Sequence, residues 1–117
     1  PMIMPVLVLV AMFRAIDATD WDALPPFFHP EMTYDRPGFP LLNGREAVLD
    51  FYRRIRAIRG EHRFEAFVIE GDAGASWGRF VGARTDGTPV DIAFADCYRF
   101  KDGAIWRRQS YFYVPLV

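Results

Sequence analysis

The sequence predicts an α+β domain, a curved antiparallel sheet with helices packed across one face. Two observations carry that prediction. Helix-like patterning is confined to about the first 60 residues, and beyond them come four strand-like runs, "HRFEAFVIEG", "SWGRFVGART", "PVDIAFADCYRF" and "AIWRRQSYFYV", separated by Gly-Asp, Asp-Gly and Lys-Asp-Gly turns. In addition, 117 residues at 51% hydrophobic and 16% aromatic fill one core without disulfide or metal support, so residues 1–117 read as a single domain.

The first element is the apolar run "PMIMPVLVLVAMF", which has no charge before Arg14. It lacks the basic start of a signal peptide and is too short to span a bilayer, so a buried first helix is expected. Its Val6, Val8 and Val10 are β-branched and it shows no polar face, both unusual for a packed helix. Pro1 could act as a free proline amine, the base of the tautomerases, but nothing else here resembles them. Next, Thr19 or Asp20 caps a second short helix that stops near Pro25 and Pro26. "MTYDRPGFP" follows as a strand entering a Pro/Gly loop. Asn43 and Glu46 have capping-box spacing, and Val48, Phe51, Tyr52, Ile55 and Ile58 recur at helical spacing up to Gly60. Arg53, Arg54, Arg56 and Arg59 fall mostly on the other, solvated face.

A net charge of -1 and a pI near 6.1 give no electrostatic reason to expect nucleic acid or an anionic membrane as partner. The single Cys97 cannot form an internal disulfide, which fits a reducing, cytoplasmic setting. Flanked by Ala93 and Ala95, it reads as a small packing residue on a flat outer face that suits a homodimer.

Asp96 is the residue that demands explanation. It shares one face of its strand with Ile92, Phe94, Tyr98 and Phe100, and a carboxylate buried there without a partner costs several kcal/mol. A three-residue Lys101-Asp102-Gly103 loop would place Arg108 opposite Asp96. A two-residue Asp86-Gly87 turn would place Trp77 opposite Asp96 and Arg79 opposite Phe94. The inner face would then carry Trp77, Arg79, Val81, Ile92, Phe94 and Asp96, together with Tyr98, Arg108, Ser110 and Phe112. That set is too polar for a sealed core and too apolar for a solvated surface, so it reads as a pocket.

These features resemble the nuclear transport factor 2-like superfamily, through the helices-then-sheet order and the segments "FHPEMTYDRPGFPLLNGREAVLDFYR" and "FADCYRFKDGAI". Within it, the chain is most similar to SnoaL-like and ketosteroid isomerase-like enzymes over roughly residues 11–115. The resemblance implies a cone-shaped sheet packed against three N-terminal helices around one cavity. It also aligns Asp96 with the isomerase aspartic acid that donates to the developing oxyanion, and Tyr52 with a tyrosine of that hydrogen-bond network. Met12 stands where the isomerases have their oxyanion tyrosine, so their mechanism is not implied in full. The base position depends on register. Counting back from "NGRE" gives Asp35, whereas counting forward from "HPEMT" gives Arg36 and turns Asp35 outward with Thr33. A carboxylate can take a proton and a guanidinium cannot, so Asp35 is the candidate.

Tyr34 and Tyr98 are candidate donors to a substrate carbonyl or aromatic lining of the cavity. His29 reads as a structural turn contact and His62 as exposed. No residue spacing resembles a metal site or a phosphate loop, so neither metal nor cofactor is expected. The expected function is cofactor-independent acid–base chemistry on a hydrophobic, carbonyl-bearing small molecule such as a polyketide or steroid-like metabolite. Asp96 would be central, tuned by Arg108 and Arg79; beside Arg108 it is expected to be ionised although Phe94 and Trp77 favour a neutral acid. The alternatives are an epoxide hydrolase-like enzyme and a non-catalytic ligand- or partner-binding module. An open pocket holding Asp35 and Asp96 would favour an enzyme; a closed Asp96–Arg108 pair would favour the binding module.

Overall fold

The computed structural model describes residues 3–114, so Pro1 lies outside the described residues. Helix α1 (Ile3–Asp17) takes up the apolar N-terminal run. It turns Leu9, Met12, Phe13 and Ile16 into the core, but Met4 and Leu7 are each 51% exposed, so the helix is only partly buried. The missing polar face thus appears as an exposed apolar stripe, and packing overrides the weak helix propensity of its valines. Instead of a second α-helix, two 3-10 turns follow at Trp21–Ala23 and Pro25–Phe27. Two successive prolines lack the N–H groups a longer helix would use.

Strand β1 (Phe28–Asp35) leads through the Pro/Gly loop to a two-residue strand, β2 (Leu42–Asn43). Asn43 is therefore not the helix cap expected of it. It pairs with Thr33, and Gly44, at φ 96°, begins helix α2 (Arg45–Asp50) without a side-chain cap. The helix then widens into a π turn, Phe51–Ile55, closed by the Arg56 N–H on the Phe51 carbonyl at 2.8 Å. It ends short of Gly60, Ile55 is 48% exposed, and Ile58 already belongs to the next strand.

Four long strands complete the chain: β3 (Ile58–Glu70), β4 (Ala73–Arg84), β5 (Pro89–Lys101) and β6 (Ala104–Phe112). The order across the sheet is β2-β1-β6-β5-β4-β3, so the sheet stays open. The α+β expectation holds, with one refinement: β1 joins β6 in parallel, making the sheet mixed. Helices α1 and α2 lie against β3 and β1 respectively, and one core of Leu9, Met12, Phe28, Tyr34, Val48, Phe51 and Ile105 forms between helices and sheet.

Register decides which side chains enter that interior, because a slip of one residue reverses every side chain on a strand. The β4–β5 turn has three residues rather than two, closed by the Arg84 N–H on the Thr88 carbonyl at 2.8 Å, with Gly87 at φ 90°. Ser76, not Trp77, therefore lies opposite Asp96, and Phe80 faces inward in place of Arg79 and Val81. Trp77 is 39% exposed and Arg79 is exposed and paired with Asp91 on the outer face, which corrects their assignment to the pocket. The β5–β6 turn has two residues, Asp102 and Gly103, at φ 54° and 76°, the type I′ geometry of tight hairpins. A bulge between Arg99 and Phe100 adds a second one-residue shift, so Asp96 faces Ser110 while Arg108 stays on the inner side, one inward position along.

Strands β3 and β4 pass very close at Gly78, where a Cβ would meet the Arg63 carbonyl oxygen at 2.0 Å. Gly78→Ala should therefore lower stability by about 1–3 kcal/mol through overpacking. Urea unfolding checks this, and an unchanged midpoint would mean the strands separate freely.

Candidate functional site

Alternation along β5 and β6 turns Asp96, Tyr98, Arg108 and Ser110 into the interior, and the π turn delivers Tyr52 from above. Asp96 and Arg108 are 1% and 5% exposed. Arg108 Nη2 and Nε both donate to Asp96 Oδ2, at 2.9 and 3.2 Å, and its Nη1 donates to the Tyr52 hydroxyl at 2.6 Å. The Tyr98 hydroxyl donates to the same Oδ2 at 3.2 Å, which leaves its oxygen to accept from Ser76 Oγ at 2.8 Å. Tyr34 bonds to Ser110 Oγ at 2.7 Å and accepts from Arg36 Nη1 at 3.1 Å. Asp96 Oδ1, by contrast, is buried without a hydrogen-bond partner among the described residues.

Burial alone would lower the Arg108 pKa, but the oxygens of Tyr34, Tyr52, Asp96 and Tyr98 around it outweigh that and hold it well above the ordinary arginine value. Burial, then the Asp96 charge, pushes the Tyr98 phenol well up. Burial likewise raises Tyr52, against the pull of Arg108.

The inner cleft is lined by Asp96, Arg108, Ser110, Phe94 and Phe112, all expected there, and by Arg36, Arg56, Ile58, His62 and Phe80. It leaves about 10 Å³ of free room, about enough for one water. Asp35 is not among its residues. The β1 register turns Asp35 outward with Thr33 and puts Arg36, 5% exposed, inside. Asp35 instead lines a groove of about 310 Å³ on the outer face, beside Cys97, Arg107 and Gln109. His29 bonds the Glu31 N–H through Nδ1 at 3.0 Å, the structural turn contact expected.

His62, by contrast, was expected to be exposed and is not. Its side chain is 10% exposed, its backbone N–H donates to Asp17 Oδ2 at 2.9 Å, and its Nδ1 lies 2.5 Å from Asp17 Oδ1. With Nδ1–H on the carboxylate, Nε2 carries the free lone pair. Burial pushes the imidazole below its ordinary 6.5, although the Asp17 hydrogen bond and charge oppose this; Arg56 lowers it further and Asp96 raises it. Arg56 was assigned to the solvated helix face and instead follows the π turn into the cleft. The strand signal for His62 was present in the sequence: it stands two residues before Phe64, on the same side of β3.

Two predictions come from this geometry. Arg108→Met leaves the Asp96 carboxylate buried and unpaired and should cost about 3–5 kcal/mol, while the double variant with Asp96→Asn recovers much of it; urea unfolding of the cycle measures both. The second concerns pH. The folded chain protonates His62 less readily than the unfolded chain, so the unfolded state takes up the proton first as pH falls. Stability contributed by neutral His62 is complete above 6.5 and drains away from 6.5 down to the lower folded value. His62→Gln should flatten that limb of a pH series of thermal midpoints.

Comparison with known proteins follows this geometry. No curated protein matches the chain. Among solved structures, a hypothetical protein of ketosteroid isomerase-like fold from Catenulispora acidiphila DSM 44928, in complex with trimethylamine, superposes with a TM-score of 0.79 at 21% identity, covering 89% of this chain and 83% of that one. An LEH-like epoxide hydrolase from M. tuberculosis gives 0.84 at 17% identity over 95% of this chain and 84% of its own. A protein described as a SnoaL-like polyketide cyclase from Jannaschia sp. CCS1 gives 0.84 at 17%, over 97% and 88%. At these identities the likeness establishes the fold. The sequence model of the SnoaL-like domain matches residues 9–108, most of the chain, and the protein therefore belongs to the SnoaL-like family.

Proposed function

We propose that the inner cleft binds a small carbonyl-bearing molecule and that Asp96 moves a proton on it, in a cofactor-independent isomerisation, dehydration or aldol-type cyclisation. The observation that carries this reading is the asymmetry of the Asp96 carboxylate. Oδ2 takes three hydrogen bonds, while Oδ1 is buried with none. An ion pair kept only for structure gains nothing from an orphaned acceptor, which costs about 1–3 kcal/mol. Oδ1 is the atom that would accept the proton, and the Arg108 guanidinium steadies the carboxylate from behind.

His62 supplies a second proton-handling group in the same cleft. Asp17 fixes its tautomer, so Nε2 can return a proton at another substrate position. A developing oxyanion would be met by the guanidinium groups of the cleft, and Phe80, Phe94 and Phe112 would hold the apolar part of the molecule. The polyketide cyclase-like and epoxide hydrolase structures lend support to proton-transfer or water-activating chemistry in this fold. The resemblance implies that epoxide hydrolases of this superfamily set an arginine between two carboxylates to activate water, and that alternative is weaker here because, among the described residues, the cleft offers Asp96 alone. Asp35 faces outward and Asp17 is engaged with His62.

A non-catalytic binding module is the second reading. The closed Asp96–Arg108 pair, the outward Asp35 and a cleft with room for about one water favour it. Exchange of α-protons in D₂O, followed by NMR across a panel of ketones and 1,3-dicarbonyl compounds, separates the two. The enzyme reading expects protein-dependent exchange that Asp96→Asn reduces by about 10²–10⁴-fold, and that Asp35→Asn leaves intact. Exchange equal in wild type and Asp96→Asn, or none on any compound, would sink it.

A further inference from the structure

Among the described residues Asp96 is the only carboxylate lining the inner cleft, and three guanidinium groups, Arg36, Arg56 and Arg108, share that cleft with it. Arg108 is paired with Asp96 at 2.9 Å. Arg36 is engaged with the Tyr34 hydroxyl and lies over the Phe51 and Phe112 rings, 5.1 and 5.0 Å from their centroids. Arg56 is different. Its Nη1 donates to the Ile58 carbonyl at 3.1 Å, its guanidinium lies 5.6 Å from the Tyr52 and Phe80 ring centroids, and its Nε is buried with no partner. Among the described residues no carboxylate lies within ion-pairing reach of Arg56, whereas Arg53, Arg54, Arg79 and Arg99 on the surface each have one. Burial pushes the Arg56 pKa down; Tyr52 and Tyr34 oppose this, and the neighbouring Arg36 and Arg108 charges act with burial.

Arg56 is half-buried with no carboxylate of the described residues in reach, so an anion entering the cleft would gain a charge-assisted contact that water screens only in part. The planar fork of a guanidinium matches a carboxylate; seating an apolar body behind it requires the aromatic walls to part, because the cleft as it stands has room for about one water. We propose that the ligand of this cleft is a small organic monocarboxylate whose carboxylate pairs with Arg56. The inference rests on the cleft being a ligand site and does not depend on Asp96 moving a proton. It narrows the carbonyl compounds of the preceding section to those that also bear a carboxylate.

The test is calorimetric titration at neutral pH and constant ionic strength with benzoate, its uncharged counterpart benzamide, and inorganic phosphate. Expected are one saturable benzoate site, benzamide weaker by at least about ten-fold, and a loss of benzoate affinity of the same order in Arg56→Met, the effect of removing one charge-assisted contact. Arg56→Lys should retain part of the affinity. Should Arg56→Met fail to fold, the benzoate–benzamide comparison on the wild-type protein decides. Benzamide binding as tightly as benzoate, an Arg56→Met variant with unchanged benzoate affinity, phosphate binding in preference to benzoate, or no binding of any probe would each overturn the proposal. The two readings fail separately. Asp96-dependent exchange without benzoate binding removes the carboxylate ligand and keeps the proton transfer, and Arg56-dependent benzoate binding without exchange does the reverse.

Discussion

An ion pair buried between the helices and the sheet sets the terms for the residues around it. Removing a carboxylate and a guanidinium from water costs several kcal/mol for each ion, and their attraction offsets this only when the remaining polar sites also find partners. The interior is built to that requirement. Tyr34 comes from β1, Tyr52 from the π turn, Ser76 from β4, Tyr98 from β5 and Ser110 from β6. Tyr52 and Tyr98 bond the pair directly, Ser76 supports Tyr98, and Tyr34 with Ser110 closes the other side. The Arg108 guanidinium also lies 4.3 Å from the Tyr34 ring centroid and 5.2 Å from that of Phe13, so even its faces are covered. The π turn matters here. It carries Phe51 and Tyr52, both in the core at 0% and 3% exposure, and brings the Tyr52 hydroxyl to Arg108.

How much of this could be read from the sequence depended on parity. The order of elements, the strands after residue 60 and the burial of Asp96 followed from composition and alternation. The partner of Asp96 came out correctly by compensation: the β5–β6 turn is one residue shorter than expected, a bulge follows, and the two shifts keep Arg108 on the inner side. The β4–β5 turn contained a single one-residue error, so Trp77 and Arg79 came out reversed. In β1 the same ambiguity was visible in advance as the choice between Asp35 and Arg36. Hydrophobic alternation does not resolve such a choice when both faces of a strand carry polar residues, and turn geometry at that resolution is not written in residue type alone.

What the sequence concealed was chemistry brought together from distant elements. Asp17 ends α1 and His62 lies near the start of β3, 45 residues later, and only the packing of that helix on that strand joins them. Arg56 was hidden by a local pattern that pointed elsewhere, because Val48, Phe51, Tyr52, Ile55 and Ile58 fit a longer helix well. The chain leaves that helix at Ile55, where the exposed side chain shows that the apolar periodicity no longer describes a buried face.

The same departures define the candidate site. A helix continued to Gly60 would carry Arg56 on the face opposite its apolar stripe, in water beside Arg53 and Arg59. Ending the helix in a π turn and starting β3 at Ile58 brings Arg56 between the Phe80 and Tyr52 rings, where no carboxylate of the described residues pairs with it. Asp96 and His62 break the alternation of β5 and β3 in the same sense, each a titratable group at a position the pattern reserves for an apolar side chain. These two and Arg56, from the link between the π turn and β3, converge on one cleft, and Asp96 and Arg56 each leave a buried side-chain atom without a partner among the described residues. Packing alone would favour replacing any of them by an apolar residue of similar volume, since a buried charge is poor stabilisation compared with a filled core. The ligand proposed for the cleft would answer that convergence by bringing its own polar groups to it.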